Sequence, residues 1–390
     1  MTTTRPLRIL VVVSRPIAEE LEIEHGGRTY QAISPVSWPP VQVVRDGLRK
    51  VFRDEAIPVA VRFLPHATLA DLQRALPEGY DVLHFVGHGA EDGALLMENE
   101  DGTADLVAPD VLGEALRETE VRLALLSACH SGAAGRALQA AGIPDVAMVD
   151  EEWPMEARAA ALFNGQFYAC LAWGMSPSAA YRAGLRAVRT DARFGDRAAP
   201  PVDLETGEEE PRYGERFAGS FDADGPLVVR GIEGKYQELH PLEAPCTVPA
   251  DEVFVGRELE RIETIWGLQG CRWLTLVGPG GIGKTAVARQ VARWQHERNH
   301  FPNGVLAVDA TGCQSADDLA TGFTAALSDP RLRSEFRLDP RHPWASIGVA
   351  LAGCWLVLLD NAEELGPEAV QALNGLLGQV EELHLLVTSR

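Results

Sequence analysis

Asp81-Val82-Leu83-His84-Phe85-Val86-Gly87-His88-Gly89 is an apolar run that stops on a glycine, a histidine and a second glycine. A second run of the same kind, Leu123-Ala124-Leu125-Leu126-Ser127-Ala128-Cys129-His130-Ser131-Gly132, stops on a cysteine. Runs of this length bounded by glycine read as buried strands. In an open parallel sheet the C-terminal ends of both would open on one crevice. With helix-like stretches alternating with such runs from Leu7 onward, the fold class is an α/β sheet with helices on its faces.

Outward from these two strands the alternation continues. Leu7 to Ser14 reads as the first strand, Val41 to Ala56 as a helix and Val59 to Phe63 as a strand. Thr68 to Leu76 reads as a helix with Thr68 as N-cap, and Pro109 to Thr119 as another. Val146 to Val149 is a short buried strand, and Met155 to Trp173 and Pro177 to Val188 carry apolar residues at helical spacing. From Asp191 to Asp224 the chain turns to Pro, Gly, Asp, Glu and Arg, which reads as a loop. Pro226 to Val229 is strand-like, and Pro241 to Pro249, with its prolines, reads as a linker.

A second α/β unit begins at Val253. Gly278-Pro279-Gly280-Gly281-Ile282-Gly283-Lys284-Thr285 fits G-x-x-x-x-G-K-[ST], between the apolar strand Trp273 to Val277 and the helical stretch Thr285 to Gln295. Its glycines (Gly278, Gly280, Gly281, Gly283) let backbone N–H groups turn inward at the head of a helix, where phosphate binds. Lys284 is expected to reach the β and γ phosphates, and the Thr285 hydroxyl to help hold Mg²⁺. Trp355-Leu356-Val357-Leu358-Leu359-Asp360 supplies an apolar strand ending in the carboxylate, Asp360, that orients the metal. Asn361 follows where many ATPases carry a second acid, which leaves Glu363 and Glu364 as nearby candidates for polarising water.

The first unit holds a different chemistry. A free thiol is mostly protonated at neutral pH and needs a neighbouring imidazole to become a nucleophile. Cys129 and His88, 41 positions apart, supply the two groups, against roughly 50 positions in caspases. Gly89 lets backbone N–H approach a substrate, and with the Cys129 N–H it makes a candidate oxyanion hole. His84 is read as a structural hydrogen-bonding residue. Asp150-Glu151-Glu152, after the strand that follows Cys129, are read as surface charge, with a preference for basic substrates as the weaker alternative.

Taken together these loops, the opening Leu7 to Pro16 and the helices from Phe163 to Val188 resemble the CHAT domains, the caspase and separase relatives of bacterial signalling proteins. The resemblance covers Leu7 to Ile232 and implies a cysteine endopeptidase with His88 as base and Cys129 as nucleophile. Val253 to Arg390 resembles the STAND class of signalling ATPases, of the NB-ARC/NACHT kind. Phe254-Val255-Gly256-Arg257-Glu258 matches the family's adenine-side motif, which implicates Gly256 and Arg257. Leu386-Val387-Thr388-Ser389-Arg390 matches its sensor strand, whose arginine, Arg390, would face the γ phosphate.

The resemblance further implies ATP or ADP with Mg²⁺, ATP-dependent homo-oligomerisation, and a protein substrate in bacterial defence or programmed-death signalling. It also implies a helical lid, a winged helix and a repeat sensor beyond Arg390, so the chain is expected to be a piece of a longer protein. The rival readings are a non-catalytic adaptor on such a scaffold and a transcription regulator. The expected organisation is a caspase-like domain over 1–232, a linker over 233–252 and a partial P-loop NTPase domain over 253–390.

Composition limits the partners. With 390 residues the chain is too long for one ordinary core. Its formal net charge of -21 disfavours phosphate backbones and anionic lipid. The longest apolar stretches fall short of the ~20 residues that cross a bilayer. No signal-peptide pattern opens the sequence, and the six scattered cysteines make neither a disulfide framework nor a zinc site. A cytoplasmic protein, with no membrane and no direct nucleic-acid contact, is expected.

Overall fold

A computed structural model of the chain describes residues 2–3, 6–14, 16–25, 28–35, 48–50, 52–53, 59–149, 157–198, 200–201, 210–221, 228–229, 237–239, 244–249, 254, 256–332, 337 and 339–390. Two compact units result, Met1–Pro241 and Leu242–Arg390. Each is mixed α/β around a mainly parallel sheet.

In chain order the first unit comprises β1 (Leu7–Val13), β2 (Ala18–His25), β3 (Arg28–Pro35), β4 (Val59–Pro65), α1 (Leu69–Ala75), β5 (Val82–Val86), β6 (His88–Gly89), β7 (Leu95–Glu98) and β8 (Ala104–Val107). It continues with α2 (Pro109–Ala115), β9 (Leu123–Ser127), α3 (Gly132–Ala140), β10 (Asp145–Val149), α4 (Ala157–Ala172), α5 (Pro177–Thr190), β11 (Phe217–Ser220) and β12 (Gln237–Glu238). The main sheet runs β11-β10-β9-β5-β1-β4-β12, with only the β11 pairing antiparallel.

Strand alternation sends successive side chains to opposite faces, and both faces are covered. Val82, Val86, Leu123 and Leu125 point into one layer with Phe163, Phe167 and Leu171 of α4 and Val188 of α5. Leu83, Phe85, Ala124 and Leu126 point into the other, with Leu72 of α1, Leu112 of α2 and Leu138 of α3. Fully burying one such side chain stabilises by about 1.5–3 kcal/mol. That is why β5 and β9 read as nearly unbroken apolar runs. The Thr68 side chain accepts from Asp71 N–H at the start of α1, and Asp71 reaches back to the Thr68 N–H, closing a capping box.

Several elements depart from the sequence reading. The hairpin β2-β3 and the small antiparallel sheet β6-β7-β8 occupy stretches with no assignment. Helix α2 ends at Ala115 rather than Thr119. The stretch from Asp191 read as loop contains β11, which pairs Phe217 with Val149. Val228–Val229 does form a strand, beside Thr2–Thr3. Of the expected helix Val41 to Ala56, residues 48–50 and 52–53 are helical and the rest lie outside the described residues. Asp150, Glu151 and Glu152 also lie outside them.

The second unit comprises α6 (Glu258–Gly270), β13 (Trp273–Val277), α7 (Lys284–Glu297), β14 (Gly304–Asp309), α8 (Ala316–Leu327), α9 (Pro343–Ala350), β15 (Trp355–Asp360), α10 (Pro367–Gln379) and β16 (His384–Ser389). Its sheet is parallel, in the order β13-β16-β15-β14. Part of the expected linker belongs to this unit. Val305 N–H donates to the Pro245 carbonyl at 2.8 Å, Thr247 N–H donates to the Val305 carbonyl at 2.9 Å, and Cys246 bridges Val305. Pro245 is tolerated there because it needs only to accept from the outer strand β14. At the other margin β13 has a free edge among the described residues, and Val277 is 70% exposed.

Candidate functional site

The thiol and imidazole are placed by strand register. Val13 pairs with Val86, and Val86 with Ser127, so β1, β5 and β9 leave the sheet at one level. Ser14 N–H donates to the Val86 carbonyl at 2.9 Å and Gly87 N–H to the Ser127 carbonyl at 3.3 Å. His88 and Cys129 each sit two residues past the paired Val86 and Ser127, and both are half-buried. The two loops run close together at Gly89, where a Cβ would run into the carbonyl oxygen of Cys129. Only glycine fits between these two loops.

Each loop is fastened from outside the sheet. His88 and Gly89 pair antiparallel with Leu96 and Leu95 of β7, and Leu95 is fully buried. On the cysteine side, Ser131 Oγ accepts from Val149 N–H at 3.2 Å and donates to the Val149 carbonyl at 3.3 Å. His130 takes a left-handed φ of 52° as the chain turns, and α3 begins at Gly132. Cys129 therefore stands near a helix N-terminus, where backbone N–H groups have no partner within the helix.

Beneath the strand ends lies a polar contact in the apolar layer. His84, 0% exposed, has its Nε2 3.0 Å from Ser127 Oγ, and Asn164 Nδ2 of α4 donates to the same oxygen at 3.3 Å. Burial pushes the His84 imidazole down to about 3 and pushes the Tyr168 phenol up. His84 thus takes the hydrogen-bonding place expected of it. Sequence reasoning misses Ser127 and Asn164, since no motif pairs a strand-end serine with a polar residue on the apolar side of a helix.

In the second unit β13 runs into the glycine-rich loop and α7 starts at Lys284. Gly281 and Gly283 have φ of 77° and 93°, in the left-handed region that other residues resist. Lys284 Nζ donates to the carbonyls of Gly278 at 2.7 Å and Pro279 at 3.0 Å, so the ammonium is folded over the loop. Thr285 Oγ1 donates to Asp360 Oδ1 at 2.7 Å, and Thr388 Oγ1 donates to the same atom at 2.6 Å. Arg289 Nη2 is 3.6 Å from Asp360 Oδ2. A hydroxyl and a carboxylate in contact at the head of the loop fit a magnesium nucleotide, with Thr285 and Asp360 toward the metal and Lys284 toward phosphate.

Of the remaining expected residues, Arg257 and Arg390 approach this loop. Half-buried Gly256 precedes Arg257, whose Nη1 donates to the Ile282 carbonyl and whose Nε donates to Glu260 Oε1 at 3.1 Å. A Cβ on Gly280 would lie 3.7 Å from Arg390 Nε, which itself is 3.0 Å from Glu363 Oε1. Asn361 Nδ2 donates to Asp309 Oδ1 at 3.3 Å, and Asp309 pairs in register with Asp360. The Thr311 hydroxyl holds the Asp309 carboxyl below its usual range. Arg289 and Asp309 were missed. Arg289 lies one turn beyond Thr285 on α7 and was legible as a helix-face neighbour.

Register-matched His-Gly and Cys loops on a doubly covered sheet, followed by a phosphate loop at the head of a second sheet, define a caspase-like domain followed by a P-loop NTPase domain. The chain belongs to the CHAT-domain family, whose model matches residues 6–213. Residues 268–388 match the AAA domain. No curated protein matches the chain. Among solved structures, an ADP complex of Bacillus subtilis pyridoxal kinase matches 53% of this chain and 97% of that chain, at 12% identity and a TM-score of 0.24. So loose a superposition carries no argument.

Among the described residues no helix is long and apolar enough to cross a membrane.

Proposed function

We propose that this protein is a cysteine endopeptidase under the control of a STAND-type nucleotide switch. The observation that carries the reading is the approach of Gly89 to the Cys129 carbonyl at register-matched strand ends. His88 takes the proton of the Cys129 thiol as sulfur attacks a peptide carbonyl. The backbone N–H groups of Gly89 and Cys129 hold the developing oxyanion. The C–N bond then breaks, His88 passes the proton to the leaving amine, and a thioester remains. Water, deprotonated by His88, attacks it, releasing the acid and the thiol.

At the second site Gly278, Gly280, Gly281, Gly283, Lys284 and Arg390 would hold the phosphates of ATP or ADP, with Thr285 and Asp360 on Mg²⁺ and Gly256 and Arg257 toward the base. Bound magnesium neutralises phosphate charge. The Thr285 and Thr388 hydroxyls fix the Asp360 carboxylate, and the Lys284 ammonium exchanges its two carbonyl acceptors for phosphate oxygens. Binding energy at this loop biases a two-state element, and ATP-dependent homo-oligomerisation exposes or assembles the peptidase. The setting is cytoplasmic bacterial defence or programmed-death signalling.

The test incubates the protein, with ATP and Mg²⁺, with a proteome and maps new protein N-termini by mass spectrometry beside a Cys129→Ala control. Cleavages that require Cys129 are expected. Identical fragment patterns would remove the peptidase reading and leave a non-catalytic adaptor.

A further inference from the structure

We propose that His84, Ser127 and Asn164 are positioning residues of the cysteine dyad, a buried polar tie that sets the heights at which His88 and Cys129 leave the sheet. The inference rests on the peptidase reading and names the part of the fold that holds its two arms in line.

Placement comes first. His84 lies four residues before His88 on β5, and Ser127 lies two before Cys129 on β9. His84 pairs in register with Leu125, so its ring reaches one strand repeat upward to meet Ser127 Oγ at 3.0 Å. The tie thus joins the two arms from below, just before both leave the sheet. Asn164 adds a third anchor by donating from α4 to the same hydroxyl at 3.3 Å.

The cost of this arrangement argues that stability is not its purpose. The layer around it is apolar, built from Val82, Val86, Leu123, Leu125, Phe163 and Phe167. Among the described residues, His84 Nδ1 and Asn164 Oδ1 are buried without a hydrogen-bond partner. So is the Tyr168 hydroxyl, whose ring centroid lies 5.7 Å from that of His84. Orphaned buried polar atoms destabilise, and exchanging a whole polar set for apolar groups of similar shape is often neutral or favourable. Hydrogen bonds, unlike dispersion contacts, fix direction as well as distance. A displacement of about 1 Å between reacting groups can cost about a hundredfold in rate. A directional tie between two strands therefore serves their alignment.

The test separates alignment from folding. In the triple variant His84→Leu/Ser127→Ala/Asn164→Leu the whole polar set is removed at once. Its melting temperature is read beside the rate at which iodoacetamide alkylates Cys129, resolved from the other cysteines by peptide mass spectrometry. The variant is expected to melt at or above the wild-type temperature while alkylation falls by about tenfold or more toward the His88→Ala rate. A folded triple variant with wild-type alkylation overturns the proposal.

Should the triple variant fail to fold, Ser127→Ala and Ser127→Thr decide. Slow alkylation in the first with recovery in the second, which keeps the hydroxyl, supports the tie, and equal rates refute it. Equal alkylation of wild type and His88→Ala removes the dyad and the proposal with it. If the wild type cleaves no protein yet the alkylation rates separate as stated, the peptidase reading falls and the positioning role stands.

Discussion

Acidification from about pH 7.5 to about pH 5 is expected to strip about 2 kcal/mol from the first unit through His84 alone. The group is sealed from solvent, and burial pushes its imidazole from 6.5 down to about 3. Between those values the unfolded chain binds a proton that the folded chain refuses. Stability from this source is therefore complete above 6.5 and is lost as pH falls from 6.5 toward about 3. At about pH 5 the medium is about 1.5 pH units below the unfolded value, and 1.36 kcal/mol per pH unit gives about 2 kcal/mol. For a unit of this size that corresponds to about 4–8 °C in Tm.

The comparison uses His84→Gln, whose amide does not titrate and can still hydrogen-bond Ser127 Oγ. Scanning calorimetry of both proteins at the two pH values, at matched ionic strength, cancels the titrations that they share. The wild-type Tm of the first unit should fall further than that of the variant by the stated amount. Equal falls, within about 1 °C, would refute the claim that this imidazole is buried in its neutral form.

Gly89→Ala drives a methyl group into the Cys129 carbonyl, so a loss of about 1–3 kcal/mol in urea unfolding, with loss of any Cys129-dependent cleavage, is expected. Lys284→Ala removes a charged donor from the phosphate loop, and a fluorescent ATP analogue should bind about 10–100-fold more weakly. Thr68→Ala deletes the capping box on α1 and should cost about 1 kcal/mol in the same urea titration, with no effect on nucleotide binding.

Sequence pattern carried two kinds of element, strands buried on both sides and the strand and helix that flank a motif. β5 and β9 were legible because each is almost wholly apolar and ends on glycine-bearing loops, and β13 with α7 because the phosphate loop admits few alternatives. β2 escaped although Glu20, Leu21, Glu22, Ile23 and Glu24 alternate with the period of a strand. Its charge drew attention from its rhythm. β11 escaped because a short margin strand, Phe217-Ala218-Gly219-Ser220, has little β propensity and is held by its pairing with β10.

Residues 244–248 were disguised by the prolines around them, of which Pro245 needs only to accept a hydrogen bond from the outer strand β14. At the candidate sites His88, Cys129 and the phosphate loop lie just past strand ends, where the motifs put them in the sequence. The side chains behind them, Asn164 and Asp309, depend on a helix face and a strand register that no motif encodes.

The margin of β13 that is unpaired among the described residues has a practical consequence. An uncovered strand is a template on which a neighbouring molecule can stack, and here the five residues of that strand lead straight into the phosphate loop. A lysine at Val277, the usual remedy for a sticky margin, would stand next to Gly278 and add charge where the loop begins. The exposed margin and the start of the phosphate loop thus share one short segment, so a charge added to the first is a change beside the second.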